Sequence, residues 1–172
     1  SIKSKGVEML HNGKGPQLNL YRSPIKNDRP FRAEWMNNGL NSLAATIDSF
    51  ICEKQPNGSM KVLISKSLKC RAGRVVHNAE YTIFGNGVIH VGNKVEPQDL
   101  KGIKSLPRVG LKLSLSKQLE NVEWYGCGPH ENYPDRKSSA LLGTYESTVT
   151  DLFTPYLIPQ ENGARCDVRR VK

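Results

Sequence analysis

Between Gly128 and Lys137 the chain sets out His130, Glu131, Asn132, Tyr133, Asp135 and Arg136. An imidazole, two carboxylates, an amide, a phenol and a guanidinium thus lie within seven residues. Glu131 and Asp135 have the types needed for glycoside hydrolysis. That reaction uses one carboxylic acid and one carboxylate, about 5 Å apart in retaining enzymes. Four residues apart on a helix they would face one another, but Pro134 lies between them and drives Tyr133 out of helical geometry. The favoured assignment is structural: Asp135 pairs with Arg136 or another basic group, and Glu131 caps a backbone amide.

Other candidate chemistries fall short in the same way. His130 follows Gly-Pro, and His11, His77 and His90 have no acidic or nucleophilic neighbour that would make a triad. Ser138-Ser139 lacks the flanking glycines of a nucleophile elbow. Gly126-x-Gly128 lacks the third glycine of a dinucleotide fingerprint, and Pro129 removes an N–H that such a loop needs. Trp35, Trp124, Tyr125, Tyr133 and Tyr156 are of the type that stacks on sugar faces, yet aromatics at strand ends ordinarily fill cores. Cys52, Cys70, Cys127 and Cys166 are widely spaced, with no zinc-ligand pattern, and read as free, mostly buried thiols. No residue is assigned a catalytic or metal-binding role.

The elements that must position this stretch are mostly strands. Val62, Ile64 and Leu68 alternate with Lys and Ser, the pattern of a strand with one wet face. Ala79, Tyr81 and Ile83 run into Gly85-Asn86-Gly87, and Val88, Ile89 and Val91 run out, which predicts a hairpin turned at Gly and Asn. Val109, Leu111, Leu113 and Leu115 predict another half-buried strand, and Asn121 to Tyr125 a strand after a turn at Lys117–Glu120. Leu18, Leu20 and Tyr21 read as a short strand. Phe31 to Leu43 is the best helical candidate, and Ala140, Leu141 and Leu142 point to a second short helix over 138–145. Turn signals recur about every ten residues, so the expected class is an all-β antiparallel sandwich with one or two short helices. Its 172 residues suit a single domain, 1–172.

Charge and hydropathy narrow the partners. The net charge of +9 is concentrated in residues 1–86. No Lys/Arg run exceeds two, as at Arg169-Arg170, and no basic helix is present, so no nucleic-acid partner is expected. No apolar run reaches the roughly 20 residues of a membrane span, and the N-terminus lacks a signal-peptide core. The reading is a soluble chain, with cytoplasmic and periplasmic compartments both open.

Three blocks in order resemble one family, the glycoside hydrolase family 2 β-galactosidases. They are Gly15-Pro16-Gln17-Leu18-Asn19-Leu20-Tyr21-Arg22-Ser23-Pro24 with Asn27-Asp28, then Leu106-Pro107-Arg108-Val109-Gly110 with 124–136, and Tyr156-Leu157-Ile158-Pro159-Gln160-Glu161-Asn162-Gly163 with Arg165 and Cys166. The segment from Trp124 is similar to the family's W-x-G-x-G-P-x-E-N-Y-x-D-R. One departure stands between Pro24 and Asn27, where Ile25-Lys26 replaces an Asp of the family pattern.

The resemblance is to the C-terminal small-chain region, a galactose-mutarotase-like supersandwich. It implies a part that supports the pocket of a retaining β-galactosidase without carrying its catalytic glutamates, and a chain that is incomplete at its C-terminus. By the same resemblance, magnesium and sodium are bound elsewhere in the parent, this part binds no cofactor, and the partners are a galactoside, the catalytic barrel of the same polypeptide and further subunits of a homo-oligomer. Trp124, Glu131, Asn132, Tyr133, Asp135, Arg136, Glu161, Asn162 and Arg165 become the motif residues, near carbohydrate or holding the scaffold. The alternative from another class is a stand-alone carbohydrate-binding module. An aldose mutarotase would need opposed acid and base groups, whereas His130 and Glu131 are adjacent.

Overall fold

A computed structural model describes residues 2–172. In chain order the elements are β1 (Lys3–Ser4), β2 (Val7–Glu8), β3 (Gln17–Asn19), α1 (Arg29–Asn37), β4 (Ala44–Lys54), β5 (Met60–Cys70), β6 (Gly73–Ile83), β7 (Ile89–Gln98), β8 (Gly110–Lys112), β9 (Asn121–Gly128), β10 (Leu141–Thr148) and β11 (Arg170–Val171). Single 3-10 turns lie at His11–Gly13 and Lys26–Asp28. The class is the antiparallel all-β one expected of a β-sandwich, with one short helix. No helix among the described residues is long and apolar enough to cross a membrane.

The chain divides into two compact units. One comprises 18–22 and 29–110 and is built on the antiparallel meander β4-β5-β6-β7. Register places Phe50 opposite Ile64, Ile64 opposite Ala79, Val62 opposite Tyr81 and Tyr81 opposite Val91, so one face is apolar. Ser49, Ser65, Asn78 and Lys94 align on the other. The core gathers at one end of this sheet, where Leu68 and Val75 pack with Leu18 and Leu20. The β6–β7 hairpin forms where the sequence predicts it, with the positive φ (86°) falling on Gly87 and the Asn86 side chain accepting from the Val88 N–H. Helix α1 overlaps the predicted 31–43 window but starts two residues before it and already ends at Asn37. Its Trp35 is buried and donates its indole N–H to the Ser105 carbonyl at 3.0 Å. Gly39, at φ +76°, takes the left-handed conformation just past the helix end.

The other unit comprises residues through Gln17, 23–28 and 111–172, and it holds the sheet β10-β9-β11. Two expectations fail here. Residues 138–145 are not helical: from Leu141 the chain is strand β10, paired with β9 so that Tyr145 lies opposite Trp124 and Gly143 opposite Gly126. The pairing with β9 overrides the helical propensity of Ala140-Leu141-Leu142. Nor does 109–115 make a half-buried strand. Only Gly110–Lys112 is extended in a ladder, and Val109, Leu111, Leu113 and Leu115 are all exposed.

Candidate functional site

The polar stretch leaves the end of β9 through Gly128-Pro129, whose peptide bond is cis. It returns at once in a tight turn. The Tyr133 N–H donates to the Arg136 carbonyl at 3.2 Å and the Arg136 N–H to the Tyr133 carbonyl at 2.8 Å. Pro134 sits at the second position of this turn, where its fixed φ is favourable. The turn faces the segment 152–167 of the same unit.

Three side chains clamp the two segments together. Glu131, whose side chain is only 7% exposed, accepts on Oε2 from the Gly163 N–H and on Oε1 from Arg136 Nη2 at 3.1 Å and from the Tyr156 hydroxyl. Asn132 is fully buried. Its Oδ1 accepts from the Cys166 N–H at 2.8 Å and its Nδ2 donates to the His130 carbonyl at 2.9 Å, while its backbone N–H reaches the Ala164 carbonyl. Tyr133 donates its hydroxyl to the Glu161 carbonyl at 2.9 Å and lies under the Arg136 guanidinium, 5.4 Å from the ring centre. Burial, reinforced by the charges of Glu131 and Glu161, pushes the Tyr133 phenol up to about 12.

Asn162 performs a similar task on the far segment. Its Oδ1 accepts from the Thr154 N–H at 2.9 Å and its Nδ2 donates to the Thr154 carbonyl, which closes the loop 154–162. Arg165 lies over the Trp124 ring at 5.2 Å and donates to the Ala164 carbonyl, and burial lowers its pKa.

Trp124 is itself 4% exposed. It is packed against Tyr145 at 5.5 Å, and its indole N–H donates to the Cys127 carbonyl at 3.2 Å. No face of this indole is open to stack on a sugar. The backbone is equally close: a Cβ at Gly128 would stand 2.7 Å from the Tyr145 ring, and one at Gly126 would stand 2.8 Å from the Val168 Cα.

Asp135 is the exception in the cluster. The expected Asp135–Arg136 pair does not form, because Arg136 turns to Glu131, and Asp135 is exposed with no ion pair among the described residues. Asp135, Lys26, Asn27, Tyr133, Arg136 and Gln160 line a recess of about 190 Å³. His130 is also exposed and meets Ser139 Oγ at 3.0 Å rather than a carboxylate.

Nearby, burial followed by the carboxylate of Asp167 raises the Cys127 thiol, and burial raises that of Cys166. Both shifts make these thiols weaker nucleophiles than a free cysteine. Among the described residues no group of three or more His, Cys, Asp or Glu side chains could hold a metal ion.

Tyr156 and Gly163 stand in the third block of the resemblance but are not among the candidate site residues, and neither are Lys137 and Asp167. Tyr156 and Gly163 are partners of Glu131 from 25 and 32 residues away. Lys137 bonds Asp167 at 2.6 Å across 30 residues. No local spacing announces such contacts.

A hydrolytic site needs a carboxyl group free to reach a glycosidic oxygen or an anomeric carbon. Here the buried carboxylate has both oxygens engaged, and the second carboxylate stands apart in solvent. The arrangement is a tie between loops.

The family model described as β-galactosidase small chain matches residues 1–172. The chain belongs to this family. Among relatives of the small-chain region, the β-galactosidase of Vibrio cholerae is 36% identical over 90% of this chain and 16% of its own length. That of Lactococcus lactis is 31% identical over 99% of this chain and 18% of its own length, and that of Kluyveromyces lactis 33% identical over 97% and 16%. The small-chain sequence thus spans about a sixth of the length of the curated relatives it matches.

Proposed function

We propose that residues 1–172 act as a single non-catalytic β-sandwich part of a larger β-galactosidase, walling its galactoside pocket and packing against its catalytic barrel and neighbouring subunits. Membership of the small-chain family supports this reading, and the relatives' greater length leaves room for a catalytic portion elsewhere. The observation that carries it is the state of Glu131. The one buried carboxylate of the motif is spent on the Gly163 N–H, Arg136 and Tyr156, so it holds loops rather than bonds under attack. In the parent, hydrolysis would run through a covalent galactosyl-enzyme formed on glutamates outside this chain. On the same reading, magnesium and sodium would be held elsewhere in the parent polypeptide.

The test is a Glu131→Gln substitution in the full-length polypeptide. A scaffold role predicts lower thermal stability with kcat per folded molecule unchanged. A fall in kcat of several orders of magnitude at unchanged stability would assign Glu131 to the chemistry instead.

A further inference from the structure

The most exposed apolar side chains of the described residues sit together at the tip of the loop 154–162. Leu157 is 103% and Ile158 78% exposed, between Pro155 and Pro159, and Phe153 at the loop's base is 66% exposed. A lone exposed leucine carries little information. This pair differs in being held out. Asn162 grips both the N–H and the carbonyl of Thr154, Tyr156 donates to the buried Glu131, and the Gly163 N–H and the Glu161 carbonyl are tied to Glu131 and Tyr133. Both stems are therefore fixed by polar contacts while the tip packs on nothing in its own unit. Ordering a loop before contact removes much of the entropic cost of docking it.

We propose that Leu157 and Ile158 form a preorganised apolar knob that seats in an apolar recess on the remainder of the same polypeptide. This rests on the reading of the chain as part of a longer β-galactosidase. The relatives are about six times as long as the region they share with this chain, so most of the surface available to the knob is covalently linked to it. Linkage places that surface at millimolar effective concentration, above what a second, unlinked copy reaches at ordinary protein concentrations. The tip is aliphatic, with no ring face or hydrogen-bonding group at 157 or 158, so it fits a dry protein hollow and not a sugar.

The test uses the full-length polypeptide with a photoreactive benzoylphenylalanine in place of Leu157, irradiated and mapped by peptide mass spectrometry. The expected product is an intramolecular cross-link, independent of protein concentration, to a peptide outside these 172 residues. Cross-links that grow with concentration and join two copies would overturn the proposal, and so would a tip that reacts only with solvent. A Leu157→Asp/Ile158→Asp double variant of the full-length polypeptide should shorten the half-life at elevated temperature about tenfold or more, the equivalent of losing one buried aliphatic side chain. An unchanged half-life would count against the knob. Galactoside hydrolysis by the unsubstituted polypeptide reports separately on the proposed function, so either reading can fail without the other.

Discussion

Asn132 shows how the cluster is held, because each end of its amide does a different job. Its oxygen takes the Cys166 N–H and its nitrogen serves the His130 carbonyl, with no exposure to water. Asn132→Ala leaves that donor and that acceptor unpaired in the interior, and should cost about 3 kcal/mol in urea denaturation. Asn132→Asp keeps the acceptor but turns a carboxylate oxygen toward the His130 carbonyl, so it should destabilise at least as much at neutral pH and recover as the pH falls and the carboxyl is protonated.

Tyr133 provides a second test, at alkaline pH. Its phenol ionises near 10 in the unfolded chain and at about 12 in the fold. The protonated phenol's stabilisation is complete below the unfolded value and is lost as pH rises through the interval from 10 to 12. The denaturation midpoint of the wild type should therefore fall more steeply over that interval than that of Tyr133→Phe. Equal slopes would show that the phenol is not held protonated by the fold.

At the scale of elements, strand β9 is shaped by its glycines. Gly126 lies where the segment leading into β11 passes over β9, 2.8 Å being the distance a Cβ would have from the Val168 backbone, and backbone cannot rotate away as a side chain can. Gly126→Ala should cost about 1–3 kcal/mol and raise hydrogen exchange in 166–171 above the rest of the chain. A uniform loss of protection would instead point to global destabilisation.

The same sheet shows where sequence pattern stops being informative. Hairpin β6–β7 was legible because alternation and an Asn-Gly turn are both local. Strand β10 was not, since Ala140, Leu141 and Leu142 favour a helix until β9 supplies a ladder. The alternation from Val109 to Leu115 is as regular as any in the chain, yet those side chains are exposed, and periodicity alone does not say whether a surface exists to cover them. In the polar cluster, the Glu131 cap was legible in kind, but its partners Tyr156 and Gly163 lie beyond any local spacing.

For the whole molecule, the apolar surface is informative. Ile47, Phe50, Leu141, Phe153, Leu157 and Ile158 are each more than 60% exposed, which fits a part that is buried by more protein than itself. The relatives devote about a sixth of their length to this region. On the proposed function, the stretch rich in ionisable groups is a scaffold and not a site of bond breaking. The most direct measurement is hydrolysis of a chromogenic β-galactoside by the purified 172-residue chain, with its folding verified by circular dichroism. No turnover above buffer is expected; turnover by the pure chain that disappears in Glu131→Gln at unchanged folding would assign Glu131 to bond breaking and overturn the scaffold role.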